Sequence, residues 1–249
     1  MSMNTAVGNT ARTERQPEIL YIDRDLLVVR KPAGIASQPG PGCKEDLISL
    51  TAALLQKRGE GSSLYLVHRL DLVVGGLVVL ARTDSAAAVL SGAVSQKDGF
   101  VKGYYAVAEG NVTPPAATLT DNLRHDTLRG RAVVCRPGTG GKRAQLSYRV
   151  LAEGATESGR PVTALSVRLL TGRFHQIRAQ LANAGFPLVG DGKYGARTAA
   201  EFPALFAGYL SFCHPSDGRR LTFFAAPPSA FPFSVFSENI YTPLFFEEK

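Results

Sequence analysis

Cysteine is scarce in this 249-residue chain, and the three that occur, Cys43, Cys135 and Cys213, are odd in number and far apart. The absence of a CxxC pair and of any Cys/His ligand spacing argues against both a disulfide framework and a zinc centre. Long hydrophobic runs are also missing. The longest, Leu72 to Ala81, falls well short of the ~20 apolar residues of a spanning helix. Met1 to Gln16 is polar and lacks the apolar segment of a secretory signal, so residues 1–17 read as a disordered tail. Neither a GxGxxG nor a P-loop spacing occurs, which removes the usual nucleotide cradles. There is no internal repeat and no low-complexity segment. The expectation from these absences is a reduced, cytosolic protein without a zinc centre or a membrane partner; a monomer is also expected.

Hydrophobic residues make up 45% and charged residues 20% of the chain, enough apolar surface for a large core in one domain or a closely fused pair. The net charge is +7, and its distribution says more than its size. Between Asp121 and Arg149 stand Arg124, Arg129, Arg131, Arg136, Lys142, Arg143 and Arg149 against two carboxylates, Asp121 and Asp126. Basic charge concentrated in one segment is the footprint of a polyanion partner, and nucleic acid is expected there. The alternative is a solvated hairpin face.

Short β-rich runs at Ile19–Ile22 and Leu26–Arg30, split by Asp23-Arg24-Asp25, predict a hairpin. Lys31-Pro32-Ala33-Gly34 ends the second strand, and Gln38 to Gly42 is a loop. Leu47, Leu50, Ala53 and Leu54 give a helical period over Lys44 to Gln56. Strands fit Leu64–Val67 and Leu77–Arg82. Asp84 can cap a helix through Gln96, and Val101–Ala108 returns as a strand. Further strands are predicted at 132–135, 145–151, 162–170 and Leu221–Ala225, with a helix over His175 to Ala184 ended by Gly185. The rhythm is not βαβ. It predicts an α+β fold, with a mixed, largely antiparallel sheet flanked by helices.

Four segments carry chemistry, and they occur in a telling order. Leu27-Val28-Val29-Arg30-Lys31-Pro32-Ala33-Gly34 is followed by His68-Arg69-Leu70-Asp71, then by Val101-Lys102-Gly103-Tyr104-Tyr105-Ala106-Val107. The last is Leu170-Thr171-Gly172-Arg173-Phe174-His175-Gln176-Ile177-Arg178, continued by Leu188-Val189-Gly190-Asp191-Gly192-Lys193-Tyr194-Gly195. Asp71 is the most informative residue: a carboxylate between two apolar strands is costly unless it is paired or used. From Glu18 to Pro228 the chain resembles the RluA-type RNA pseudouridine synthases. The resemblance implies a catalytic domain over residues 18–228, with 229–249 as a C-terminal extension. It also implies isomerisation of uridine to pseudouridine in ribosomal or transfer RNA.

That reaction breaks the C1′–N1 bond and remakes it to C5, with no net redox change, so it calls for a carboxylate rather than a cofactor. The resemblance makes Asp71 the catalytic residue and places Tyr104 and Arg178 beside it. To stay ionised when buried, Asp71 needs a cation, and Arg178 is the candidate. Outside the motif Arg178 would read as an exposed helix charge, and Tyr104 as a half-buried strand aromatic. Arg69 could fill the gap left by an extruded base; otherwise it forms a surface ion pair. His68, Arg173, His175 and Gln176 are expected on the RNA side, the two histidines orienting loops rather than acting as bases. Arg129, Arg131, Lys142 and Arg143 are expected to bind phosphates. The glycines at 75, 76, 172 and 190 are read as serving tight backbone geometry.

One departure stands next to Asp71. Where the family shows a polar stretch ending Thr-Ser-Gly-Leu, this chain has Leu72-Val73-Val74-Gly75-Gly76-Leu77, which bears on substrate choice. There is no room before Glu18 for the small RNA-binding domain many relatives carry, so targeting is expected from the catalytic domain itself. Two other readings remain: an idle RNA-binding or ribosome-assembly protein on this scaffold, and a metal-dependent nuclease or phosphotransferase using Asp71 and Asp191, which the lack of clustered carboxylates weakens.

Overall fold

Strand-forming runs separated by turn residues build a single eleven-stranded sheet. The computed structural model describes residues 16–40, 45–96 and 99–242. Cys43, Lys44, most of the expected N-terminal tail and the end of the C-terminal extension lie outside them.

The first hairpin joins β1 (Glu18–Ile22) to β2 (Leu26–Lys31). Its turn is closed by Asp23, whose Oδ1 accepts from the Asp25 and Leu26 amides at 2.8 and 2.9 Å, a side chain standing in for a backbone acceptor. Helix α1 (Leu47–Lys57) follows, capped by Asp46 accepting from Ser49 N. Then come β3 (Tyr65–Leu66), β4 (Gly75–Ala81) and helix α2 (Asp84–Gln96). Thr83, not Asp84, caps α2: its Oγ1 accepts from Ala86 N at 3.2 Å. The remaining elements are β5 (Val101–Glu109), β6 (Ala116–Asp126), β7 (Arg131–Cys135), β8 (Lys142–Ala155), β9 (Pro161–Leu169), α3 (Gln176–Asn183), β10 (Leu205–Cys213) and β11 (Arg220–Phe224).

The sheet order is β1-β2-β4-β10-β5-β9-β8-β6-β7, with β11 on β10 and β3 on β4. The β4–β10 pair is parallel and the other pairs are antiparallel, so the sheet is mixed and the fold α+β. Alternation along the strands sorts side chains between faces. Leu27, Val29, Val78, Leu80 and Tyr104 face Leu47 and Leu55 of α1 and Ile177 and Leu181 of α3. Leu26, Val28, Leu77 and Val79 face Ala86 and Leu90 of α2. Tyr105, Val107 and Phe206 pack with Phe233, Phe236 and Tyr241, so residues 233–242 are laid against the sheet, with Tyr105 Oη donating to Thr242 O at 2.6 Å.

The sequence pattern does not predict two of these strands, β10 and β6. Every residue of β10 but the last is buried, so it lacks the alternation that marks a strand. The opening of β6 reads as polar because its side chains alternate between exposed and half-buried positions.

Candidate active site

The loop from β3 to β4 carries Asp71, and the turn after β2 holds that loop in place. Ser37 Oγ donates to Leu70 O (2.8 Å) and accepts from Leu70 N (3.0 Å). Gly34 N donates to Leu72 O at 2.8 Å. Lys31 is fully buried, its Nζ donating to Ile35 O (2.6 Å), Pro32 O (3.0 Å) and Leu72 O (3.4 Å). Three carbonyl oxygens match the three N–H bonds of an ammonium. Burial pulls the Lys31 pKa down to about 7, against the pull of Asp71. The first motif is therefore a clamp on the aspartate loop, whereas its sequence alone suggests no more than the end of a strand.

His68 pins the other side. Its Nε2 accepts from Val79 N at 3.2 Å, and its Nδ1 is enclosed without a partner. Burial, with the charge of Lys102, takes its pKa down to about 3, so the ring is neutral. His68 lines the cleft with its ring nitrogens turned inward, one to Val79 N and the other enclosed. The glycines divide as well. Gly76 has φ +124° and Gly190 φ +81°, and a Cβ at either would run into backbone. Gly172 has neither feature.

Arg178 reaches the site from the first turn of α3. His175, the N-cap, adopts a left-handed conformation (φ 49°, ψ 29°), which is uncommon for a residue with a Cβ. Its ring stacks on Phe174 at 3.8 Å, and its Nδ1 lies 2.9 Å from Tyr194 Oη. Its Nε2 accepts from Arg178 Nη1 at 3.1 Å. Burial and the Arg178 charge hold the His175 pKa at about 3, so its 3.6 Å approach to Asp71 is not an ion pair. Gln176 is buried and fully used: Oε1 accepts from Thr171 Oγ1 (2.7 Å) and Arg173 N (2.9 Å), and Nε2 donates to Gln145 O (3.0 Å). It shapes the Thr171–Arg173 loop while also lining the cleft.

The principal partner of Arg178 is Asp191, not Asp71. Nε and Nη2 donate to the two Asp191 oxygens at 2.7 and 2.8 Å, a bidentate fork. Nη1, which donates to His175 Nε2, also faces Asp71 Oδ2 at 3.4 Å. The guanidinium also lies 5.1 Å from the Tyr194 ring. Burial would pull the Arg178 pKa down, but the bonds and charge of Asp191 hold it up. Asp71 behaves in the opposite sense: burial raises its pKa, and Arg178, Arg69 and Lys31 draw it back without cancelling the rise. Sequence reading misses Asp191 and Tyr194 in this role, although both stand in the follow-up to the last motif. Asp71 and Asp191 both engage the Arg178 guanidinium. Among the described residues, the three potential ligands found close together are Asp23, Asp25 and His214, outside the cleft lining.

These groups line a cleft of roughly 260 Å³ bounded by Arg69, Asp71, Lys102, Tyr104, Arg173 and Arg178. Burial and the charge of Asp71 push the Tyr104 phenol well above its ordinary range, so it stays neutral. Arg69 is exposed and has no hydrogen bond or ion pair among the described residues, unlike the surface pair weighed for it. Arg173 is exposed, its Nε donating to Arg143 O at 3.0 Å. The basic segment forms β6, β7 and the start of β8. Arg129, Lys142 and Arg143 are exposed, whereas Arg131 is half-buried with Nε enclosed and unpartnered. The hairpin is tied to the site by Ala132 N donating to Tyr194 Oη (2.8 Å) and Lys193 Nζ to Gly130 O (3.1 Å).

A family model described as RNA pseudouridylate synthase matches residues 25–183. The chain is 34% identical over 200 residues to the uncharacterized RNA pseudouridine synthase YhcT of Bacillus subtilis, covering 80% of this chain and 64% of that protein. It is 34% identical over 244 residues to ribosomal large subunit pseudouridine synthase D of Pseudomonas aeruginosa, covering 91% and 73%. For the enzyme of that name in Yersinia pestis the figures are 34% over 229 residues, 85% and 67%. The chain thus spans about two thirds of the length of these relatives. Among solved structures, human RNA Pseudouridylate Synthase Domain Containing 1 superposes with a TM-score of 0.69 at 25% identity, covering 88% of this chain and 86% of that one.

Proposed function

This chain belongs to the RNA pseudouridylate synthase family, and from that premise we propose that it isomerises uridines of large-subunit ribosomal RNA, with Asp71 as the catalytic carboxylate. The relatives named for the large subunit favour ribosomal over transfer RNA. One observation carries the residue assignment: Asp71 lines an open cleft with Arg178 Nη1 at 3.4 Å, while the rest of that guanidinium is fixed by a second, buried carboxylate.

The geometry supports this chemistry. Breaking C1′–N1 and forming C1′–C5 moves one proton from C5 to N1, with no net change in atoms or electrons, so no cofactor is called for. Asp71 supplies the carboxylate for covalent or proton-transfer work, and Arg178 favours its ionised form. Tyr104, a neutral phenol on the cleft wall, is suited to stack on the uracil rather than to take a proton as phenolate. Arg69, solvated and unpaired, is free to occupy the space left by an extruded uridine. Phosphates dock on Arg173 and on the exposed Arg129, Lys142 and Arg143, with Arg131 behind them. The protein acts in the cytoplasm, as a monomer.

The test pairs two measurements. Pseudouridines are mapped in total RNA from a strain lacking the gene, and purified wild type and Asp71→Asn are assayed on the affected RNA. The expected outcome is loss of specific ribosomal RNA sites, restored by wild type and not by Asp71→Asn, with RNA affinity largely kept. Loss confined to transfer RNA would change the substrate. Full turnover by Asp71→Asn would remove the catalytic assignment.

A further inference from the structure

We propose that Lys102 is a subsite for one backbone phosphate next to the target uridine, a role that rests on the pseudouridine reading above. Lys102 and Tyr104 stand two residues apart on β5 and both line the catalytic cleft, as strand alternation requires. The Lys102 ammonium lies 5.9 Å from the Phe100 ring and has neither a hydrogen bond nor an ion-pair partner among the described residues. The carboxylate in the cleft, Asp71, is held by Arg178, and the titratable group that feels Lys102 most plainly, His68, is neutral. Burial lowers the Lys102 pKa with no carboxylate acting to raise it.

The other cations here are provided for. Arg178 has Asp191, Lys31 has three carbonyls, Arg173 has Arg143 O, and Arg69 is in solvent. A half-buried ammonium without a counter-charge is costly, and an aromatic face offsets only part of that cost. Uracil and ribose are neutral; phosphate is the anion that a nucleotide brings into such a cleft. Gly172 adjoins the ammonium: a Cβ there would lie in ordinary contact with Lys102 Nζ, at 3.5 Å. The glycine, whose backbone geometry required no explanation, leaves the ammonium open to a ligand.

The experiment is a cycle between Lys102→Met and RNA oligonucleotides carrying a single neutral methylphosphonate linkage, placed in turn on the 5′ and 3′ sides of a uridine that wild type modifies. Lys102→Met is expected to raise KM by roughly tenfold to a hundredfold, the range for a charge-assisted hydrogen bond, with a much smaller change in kcat. One methylphosphonate position should raise the wild-type KM by a similar factor and add nothing in Lys102→Met. Lys102→Arg should retain most of the affinity and the sensitivity to that linkage, and Lys102→Gln serves if the methionine variant fails to fold. Additive losses at every linkage, or a loss confined to kcat, would overturn the phosphate subsite while leaving the enzyme assignment standing. Absence of turnover by wild type on any RNA would overturn both.

Discussion

A guanidinium has five N–H donors in one plane, and Arg178 divides them among a buried carboxylate that fixes it, the His175 ring and an accessible carboxylate, Asp71. Asp191 is therefore a positioning residue. Asp191→Asn would turn an amide N–H toward one arm of the fork and leave a buried cation half paired. The expected loss is about 3–5 kcal/mol of stability, read by urea denaturation, together with a lower kcat and little change in RNA affinity. The two ends of the network also differ in their dependence on pH. Because the Asp71 pKa is raised, turnover should fall on acidification at a pH above the ordinary carboxylate range. The same shift reverses sign for stability: a raised carboxyl pKa contributes stability at low pH that is lost as pH rises through the folded value. Asp71→Asn is thus expected to melt higher than wild type at neutral pH while being inactive, and a lower Tm would contradict that account.

Local strings such as His-Arg-Leu-Asp and Thr-Gly-Arg-x-His-Gln-Ile-Arg are legible because each motif lies within one turn or strand of the residue it positions. They do not reveal which polar side chains turn inward. His68 and Gln176 sit in motifs with Asp71 and Arg178, yet their hydrogen bonds go to Val79 and to the Thr171–Arg173 loop. The Arg178–Asp191 fork is hidden for a different reason: it bridges a helix and a later loop, and spacing alone does not say that they meet. Strand β10 escapes because burial on both faces erases alternation. Gly76 shows how closely that strand is approached. It lies in β4 at φ +124°, where a Cβ would collide with the backbone of Ala207 in β10. Since neither backbone can yield without opening the parallel pair, Gly76→Ala is expected to cost several kcal/mol, measured as a drop in denaturation midpoint, and to reduce activity through the adjoining Asp71 loop.

Across the whole molecule, the charge excess gathers on β6, β7 and the start of β8, and hydrogen bonds through Tyr194 and Lys193 tie that hairpin to the catalytic network. Neutralising Arg129, Arg131, Lys142 and Arg143 together should weaken binding to many RNA sequences. It should also flatten the salt dependence by about 0.7–0.9 in log–log slope for each phosphate left without its cation, with kcat at saturating RNA changed much less. Parallel lines for wild type and the quadruple variant would mean that this charge is merely solvated. The position of β10 has a consequence of another kind. During synthesis, Asp71, Tyr104, Arg178, Asp191 and Tyr194 have all left the ribosome before Leu205, the first residue of the strand that joins β4 to β5. A nascent chain ending just short of it owns every chemical group of the site but only two unjoined pieces of sheet, with unpaired central edges exposed to aggregation. Activity should therefore emerge late, with the closing of this distant pairing, and refolding should show the slow rate of a high-contact-order sheet.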